Sequence, residues 1–224
     1  MSPTVRMLVN LAIAGVILGA VLWRLDINGW PSLLWVGAMI MTIIIRTPYQ
    51  AETEKNVITD RPGMTTERIL LFLVSLGTAI LPLVHLLTGV FSFANYRLPD
   101  IFPIVAGLAL IPAYYMFWRS HADLGKNWSV TLEVREGHGL ITEGVYKYIR
   151  HPMYTSLMVV FFAQPFFVQN WIAGVAGPVA FLLLYLVRVG NEEAMMRAQF
   201  GAEYDAYCAR SGRLLPRFRS ASQA

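Results

Sequence analysis

Long apolar segments, separated by short polar stretches, make up most of the chain. They run over Val5–Leu25, Trp30–Ile45, Ile69–Val90, Ile101–Trp118, Tyr154–Val168 and Trp171–Val189. An α-helix needs about 20 apolar residues to cross the hydrocarbon core of a bilayer, and most of these segments approach that length. The pattern therefore predicts an all-α integral membrane protein with about six apolar segments and no Rossmann sheet.

The last two apolar segments are separated only by Gln169-Asn170, and Pro165 interrupts the first of the pair. That first segment is too short to span a bilayer upright. We therefore predict a C-terminal helical hairpin that dips into or crosses the membrane. Pro82 and His85 predict a kink in the third segment. The polar stretch 46–68 is predicted to be a loop and carries no motif that we can interpret.

Composition supports the membrane assignment. The chain is 56% hydrophobic and only 14% charged, whereas soluble domains carry about 25% charged residues. Cys208 is the only cysteine, which excludes an internal disulfide and a cysteine-based metal site. The four histidines lack metal-ligand spacing, so we expect no metal. The first apolar segment has no convincing cleavage site, which favours a retained helix over a signal peptide.

The distribution of charge predicts the orientation in the membrane. With six spans, sixteen of the 18 lysines and arginines fall in the regions 1–6, 46–68, 119–150 and 188–224. Since positive charge is concentrated on the cytoplasmic side of membrane proteins, both termini are predicted to be cytoplasmic. The net charge of +4 lies beside apolar segments, so a membrane surface accounts for it better than nucleic acid does.

Two polar clusters stand at the ends of the predicted hairpin. The first is Arg150-His151-Pro152-Met153-Tyr154 and the second is Asn191-Glu192-Glu193. Charged groups at a bilayer boundary are costly unless they are solvated or paired, so these clusters are candidates for a functional site. Further polar pieces are Leu124–Trp128 after the fourth segment, His138–Tyr146, Arg188, Phe200–Tyr207 and Arg213–Pro216.

In this order, the pieces resemble the isoprenylcysteine carboxyl methyltransferase family, which is related to the phospholipid methyltransferases. The resemblance covers roughly residues 120–218, and the four upstream segments match only in being apolar. It implies S-adenosylmethionine as the cofactor, in a pocket between the loop after the fourth segment and the C-terminal helix. By position, the cofactor-binding residues would be His138, Gly139, Leu140, Ile141, Tyr146, His151, Pro152, Met153, Tyr154 and Glu192. Arg188 would be the catalytic residue that binds the methyl acceptor.

The resemblance also implies a domain organisation and a set of partners. We expect N-terminal transmembrane helices over residues 1–118, a cofactor-binding and catalytic region over 119–218, and a disordered tail over 219–224. The expected partners are the bilayer and a lipophilic small molecule or prenylated substrate, with no nucleic acid and no metal.

These residue types suit the binding of the cofactor and of the acceptor. Aromatic and imidazole groups can bind the adenine of S-adenosylmethionine, and a carboxylate such as Glu192 can pair with its ammonium group. Arg188 and Glu192 are four residues apart and share one helix face. The planar guanidinium of arginine suits a carboxylate acceptor. An isoprenylcysteine carboxylate is ionised at neutral pH, so its methylation needs no general base, and this favours O-methylation.

Other interpretations remain open. A phospholipid or other lipid N-methyltransferase would need a base to deprotonate its amine. A non-catalytic scaffold or small transporter is the alternative outside the enzymes, and a transporter would place polar groups near mid-membrane. Arg188 could complement a helix end, and Glu193 is as readily a solvated helix residue as a site residue. Pro152 fits the first turn of a helix. Phe200, Tyr204 and Tyr207 have the spacing of a packing face.

Overall fold

The computed structural model describes residues 3–53, 58–60, 64–125, 134–135 and 139–217. Its α-helices are α1 (Pro3–Trp23), α2 (Leu25–Asn28), α3 (Pro31–Thr53), α4 (Met64–Ser75), α5 (Leu81–Thr88), α6 (Ile101–Leu124), α7 (Pro152–Phe167), α8 (Ala176–Phe200) and α9 (Ala202–Arg210). Two short strands, β1 (Ile58–Asp60) and β2 (Val134–Arg135), pair antiparallel. The predicted disordered tail 219–224, His138 and Lys126–Trp128 lie outside the described residues.

The helices account for each of the predicted apolar segments. Pro31–Gln50, Thr65–Thr88 and Ile101–Leu124 are long and apolar enough to cross a membrane, and Leu8–Trp23 and Pro152–Phe167 are shorter apolar helices. Many large apolar side chains on these helices face outward, as a surface in contact with lipid requires. The prediction of an all-α membrane protein without a Rossmann sheet is confirmed for the described part of the chain.

Several helices continue beyond the apolar segments that predicted them. α3 runs through Pro48 to Thr53, and α4 begins at Met64. The prediction of a loop over the whole of 46–68 is therefore wrong at both ends. α8 likewise extends to Phe200, eleven residues past Val189, where the predicted apolar segment ends. Polarity changes where a helix leaves the apolar region, but the backbone hydrogen bonds of the helix do not depend on that polarity.

The distortion predicted at Pro82 takes the form of a π-helical turn, Leu76–Ile80, between α4 and α5. Proline has no amide hydrogen, so Pro82 cannot donate to the carbonyl groups of Gly77 or Thr78 in the π or the α register. Side chains from two other helices supply these bonds. Gln164 Nε2 on α7 donates to the Gly77 carbonyl at 2.9 Å, and Trp35 Nε1 on α3 donates to the Thr78 carbonyl at 3.3 Å.

The predicted hairpin is present as α7 and α8, but its connection spans Val168–Val175 rather than Gln169-Asn170 alone. Asn170 is fully buried there. Its amide nitrogen donates to the Phe91 carbonyl and to Asn95 Oδ1, and its oxygen accepts the backbone N–H groups of Ile172 and Ala173. These bonds satisfy the polar groups of a buried turn and hold it against Phe91 and Asn95.

The apolar core lies between α3, α6, α7 and α8. Its most buried large side chains include Trp35, Phe117, Phe161, Phe167 and Phe181. α4 and the π-helical turn pack against α8, and α7 packs against both α6 and α8. This arrangement brings the start of α7, the polar end of α8 and the start of α4 to one end of the molecule.

Candidate active site

The two polar clusters at the ends of the hairpin meet side by side. The Tyr154 hydroxyl on α7 donates a hydrogen bond of 2.8 Å to Glu192 Oε2 on α8. His151 Nδ1 lies 3.9 Å from the other oxygen of Glu192, and Arg188 Nε lies 3.9 Å from Oε2. The structure therefore brings together four of the predicted site residues, one of which is the predicted acceptor-binding arginine.

The local sequence explains how α7 presents His151. Pro152 occupies the first turn of the helix, as predicted, and its missing amide hydrogen costs no helical bond there. His151 precedes it with φ −124° and ψ 59°, and its side chain makes no capping bond. His151 is instead buried, with a side chain 6% exposed, and its imidazole turns toward the two glutamates of α8.

Glu193 is the buried anion of a basic cluster, with a side chain only 2% exposed. His151 Nε2 lies 3.3 Å from its Oε1, Arg150 Nε lies 3.3 Å from the same atom, and Arg213 Nε donates to it at 3.0 Å. Hydrogen bonds from His151 and Arg213 hold the pKa of the Glu193 carboxyl well below its usual value, although burial opposes them. The interpretation of Glu193 as a solvated helix residue is therefore wrong.

The C-terminal segment reaches this cluster by pairing with the start of α7. The Arg150 N–H donates to the Gly212 carbonyl at 2.8 Å, and the His151 N–H donates to the Arg213 carbonyl at 3.0 Å. The Gly212 N–H in turn donates to the Tyr148 carbonyl at 2.9 Å. Backbone hydrogen bonds thus position Arg213 opposite Glu193, and a hydropathy pattern contains no signal for such a pairing.

Arg188 has a second carboxylate partner, which the sequence analysis missed. Its Nη1 lies 3.2 Å from Glu67 Oε1 on α4, and both side chains are largely buried, at 14% and 12% exposed. Arg188 therefore does not extend to solvent as an isolated interfacial arginine would. The available signal was a single acidic residue two positions before the apolar segment that begins at Ile69.

Tyr146 is held rigidly beside this cluster. It is 6% exposed, its hydroxyl donates to the Ser120 carbonyl at 3.2 Å, and its own carbonyl accepts a 2.6 Å bond from the Tyr207 hydroxyl. Burial and the nearby charge of Glu192 raise the pKa of the Tyr146 phenol well above its usual value. Tyr204 and Tyr207 of α9 are buried as the predicted packing face.

The remaining predicted residues are less directly connected to the four grouped side chains. Leu140 and Ile141 are half-buried and Gly139 is exposed, in the segment that leads to a 3-10 turn at Gly144–Lys147. Pro152 is buried, and Met153 packs against the apolar core. His138 lies outside the described residues, so its predicted role stays a prediction.

Asp123 is a further residue that the sequence analysis missed. Its Oδ2 accepts the Val145 N–H at 2.9 Å, and its Oδ1 accepts a bond from Arg119 at 2.6 Å. Gly144, with φ +59°, lies so close that an added Cβ would clash with Asp123 Oδ2. Asp123 thereby fastens the chain segment that carries Tyr146 to the end of α6. Among the described residues, no group of three or more His, Cys, Asp or Glu side chains could hold a metal ion.

Comparison with known proteins supports the resemblance seen in the motifs. Residues 105–198 match the isoprenylcysteine carboxyl methyltransferase (ICMT) family. Protein-S-isoprenylcysteine O-methyltransferase B of Arabidopsis thaliana is 30% identical over 88 residues, which cover 38% of this chain and 45% of that protein. Protein-S-isoprenylcysteine O-methyltransferase of Schizosaccharomyces pombe is 24% identical over 95 residues, covering 42% and 40% of the two chains. The matches thus span less than half the length of these relatives.

The fold is similar over a longer stretch. The solved structure of the eukaryotic intramembrane Ras methyltransferase ICMT aligns with 92% of this chain and 75% of that chain, with a TM-score of 0.56 and 19% sequence identity. At this identity the likeness establishes the fold alone. The resemblance to the isoprenylcysteine carboxyl methyltransferase family is therefore confirmed, through the sequence of residues 105–198 and through a shared all-helical membrane fold.

Proposed function

We propose that this chain is an S-adenosylmethionine-dependent methyltransferase that esterifies the carboxylate of a lipophilic, isoprenylcysteine-type acceptor. The observation that carries the proposal is the placement of Arg188 and Glu192 one helical turn apart, at the polar end of α8 and within the family-matched segment. One is a cation suited to an anionic acceptor, and the other is an anion suited to a cationic cofactor group.

The donor set of the cluster fits the cofactor. Glu192 keeps 29% of its side chain exposed and accepts one direct hydrogen bond within the part of the chain that the structure describes, so it retains capacity for an ammonium group. The His151 and Tyr154 rings, with centroids 5.6 Å apart, offer aromatic surface beside it. S-Adenosylmethionine supplies the methyl group when bound. Tyr154 holds the Glu192 carboxylate in one orientation, and Glu193 holds His151.

Arg188 would fix the acceptor. An α-carboxylate has a pKa of about 3.5, so it reaches the site already ionised and no residue has to remove a proton. Rate enhancement then comes from orienting the acceptor for attack, an effect worth up to roughly 7–11 kcal/mol in favourable intramolecular reactions. The guanidinium can donate hydrogen bonds to both carboxylate oxygens and stay protonated, because arginine remains charged in proteins.

The surroundings of Arg188 suit an acceptor with one polar and one apolar end. Toward the membrane, α8 exposes Leu183, Leu186 and Val187, which suit an isoprenyl chain that enters from the bilayer. Lys and Arg are concentrated at the same ends of the spans as the polar clusters. This supports a site at the cytoplasmic face, with both termini cytoplasmic.

Two measurements on the purified wild-type protein test the proposal. Isothermal titration with S-adenosylhomocysteine should give saturable binding, and absence of binding to a folded preparation contradicts the proposal. Methyl transfer from labelled S-adenosylmethionine is then measured with S-farnesylcysteine, with its α-carboxamide as the matched control, and with phosphatidylethanolamine. Label in the free acid alone supports the esterification. Label in phosphatidylethanolamine would identify an N-methyltransferase instead.

A further inference from the structure

We infer that Glu67, on α4, is a positioning residue that orients the Arg188 guanidinium toward the acceptor carboxylate. The inference rests on the proposed function, and it extends the acceptor site into the half of the chain that precedes the family-matched segment. Glu67 lies in the first turn of α4, and its Oε1 lies 3.2 Å from Arg188 Nη1. Both side chains are more than four-fifths buried.

The geometry gives Glu67 control over the direction of Arg188. Glu192 approaches the guanidinium at Nε from the same helix, at 3.9 Å, which exceeds hydrogen-bond distance. Glu67 approaches Nη1 from a different helix and at shorter range. An arginine side chain has several rotatable bonds, so a close partner on a different helix adds a restraint on the direction of the guanidinium that a partner on α8 does not provide.

A like charge adds to the need for this restraint. Arg46 on α3 lies close enough to Arg188 for the two positive charges to repel one another. In a site largely removed from water this repulsion is screened less than at a surface. The negative charge of Glu67, whose Oε1 lies 3.2 Å from Arg188 Nη1, offsets this repulsion.

The backbone that carries Glu67 is fixed against α8. Gly77, in the π-helical turn that follows α4, lies so close to the start of α8 that an added Cβ would stand 2.6 Å from the Ala176 carbonyl oxygen. Gln164 bridges the same contact, because its Nε2 donates both to the Gly77 carbonyl and to the Ala173 carbonyl. A carboxylate on this helix therefore has a defined position relative to Arg188.

The charges in the site favour a positioning role for Glu67. The alternative is that Glu67 occupies the acceptor site on Arg188 until the acceptor displaces it. With both reactants bound, the site would hold four cations, namely Arg46, Arg188 and the ammonium and sulfonium groups of the cofactor. It would also hold four anions, namely Glu67, Glu192, the acceptor carboxylate and the cofactor carboxylate. The acceptor can thus bind Arg188 while Glu67 stays in place.

The test compares Glu67→Gln and Glu67→Asp with the wild-type protein in the S-farnesylcysteine assay. A hydrogen bond to a charged group typically changes affinity by about tenfold or more. Glu67→Gln should therefore raise KM for the acceptor by about tenfold. Its kcat should stay within about threefold, and its affinity for S-adenosylhomocysteine should not change. Glu67→Asp keeps the charge and should recover part of the loss. The matched control, Glu203→Gln, makes the same change at an exposed position of α9 and should leave KM unaltered.

Each other outcome overturns the inference. An unchanged KM in Glu67→Gln, in a wild-type enzyme that methylates the acceptor, removes the role of Glu67 and leaves the proposed function standing. A lower KM would show that Glu67 competes with the acceptor for Arg188. A parallel loss of kcat, cofactor affinity and thermal stability assigns it a structural role. If the wild-type protein binds S-adenosylhomocysteine but methylates no carboxylate, the proposed acceptor is wrong and this inference falls with it.

Discussion

The Tyr154 hydroxyl and the Glu192 carboxylate, 38 residues apart in sequence, form a 2.8 Å hydrogen bond that joins α7 to α8. The bond engages Oε2 of Glu192, while Oε1 faces His151 at 3.9 Å. One phenol therefore orients the carboxylate to which we assign the cofactor ammonium. Tyr154 belongs to the first polar cluster and Glu192 to the second, so this contact is the most direct link between them.

Tyr154→Phe tests the orienting role of this bond. The variant keeps the ring and removes the donor, so the Glu192 carboxylate becomes free to turn and S-adenosylhomocysteine should bind about tenfold more weakly. Isothermal titration measures the change. Tyr115→Phe, at a position of α6 that is 63% exposed, is the matched control and should bind as the wild type does. Equal affinity for all three proteins would show that the hydroxyl has no part in cofactor binding.

Glu192→Gln removes the negative charge and keeps the shape of the side chain. We expect its affinity for S-adenosylhomocysteine to fall by about tenfold or more, because a charge-assisted bond to the ammonium group is replaced by a neutral one. Its unfolding temperature should change little, since this carboxylate is 29% exposed. Titration calorimetry and thermal unfolding of the same preparation separate the two effects. Unchanged affinity would rule out the pairing with the ammonium group.

Glu193→Gln, one position along the helix, should lower the stability of the protein more than its affinity for S-adenosylhomocysteine. Glu193 is the buried partner of Arg150, His151 and Arg213, and breaking a buried ion pair typically costs about 3–5 kcal/mol. The main effect should be a lower unfolding temperature in detergent, measured without ligand. If Glu193→Gln is as stable as Glu203→Gln, the buried cluster contributes nothing to stability.

The pH dependence of stability should report Glu193 as well. Its folded-state pKa is lowered below the ordinary value of 4.5, so the carboxylate stabilises the folded state above about pH 4.5 and loses that contribution as the pH falls further. The unfolding temperature of the wild-type protein should therefore drop below that pH, and the drop should be smaller in Glu193→Gln. Thermal scans between pH 3 and 7 measure it, and identical profiles for the two proteins contradict the assignment.

Arg188→Ala should abolish turnover while retaining much of the affinity for S-adenosylhomocysteine. The variant removes the proposed anchor for the acceptor and leaves Glu192 and Tyr154 in place. Single-turnover methyl transfer to S-farnesylcysteine measures the first effect and calorimetry measures the second. Arg197→Ala is the control on the same helix, since Arg197 is 48% exposed and pairs with the exposed Asp205. Normal turnover in Arg188→Ala would exclude a carboxylate anchor at this position.

Gly77→Ala tests the contact between the π-helical turn and α8. An added methyl group would meet the Ala176 carbonyl oxygen at 2.6 Å, and such overpacking typically costs about 1–3 kcal/mol. Gly37→Ala, on α3, is the control, because an added Cβ there would meet no atom within 4 Å. Alanine also favours a helix more than glycine does. Thermal unfolding of both variants should show a loss only for Gly77→Ala. Equal stabilities would mean that the two helices can separate at no cost.

Sequence patterns located the helices better than their ends. The last apolar segment ends at Val189, and the spacing of Arg188 and Glu192 predicted about one more helical turn, yet α8 continues to Phe200. The extension matters for the site, since Glu192 and Glu193 lie on a helix and point about 100° apart. Adjacent glutamates in a loop would have no such fixed divergence, and only the continuing helix assigns one to Tyr154 and the other to Arg213.

The sequence by itself determined the membrane-embedded helical architecture, the hairpin and the grouping of His151, Tyr154, Arg188 and Glu192. Hydrophobic length and residue spacing predict the helical architecture, the hairpin and the shared helix face of Arg188 and Glu192. The choice of His151 and Tyr154 as site residues came from the resemblance to the isoprenylcysteine carboxyl methyltransferase family. Only the tertiary structure decided that Glu193 is buried, that Arg213 is one of its partners and that Glu67 pairs with Arg188. Those contacts depend on how helices pack and on backbone pairing near Gly212, neither of which leaves a periodic trace in the sequence.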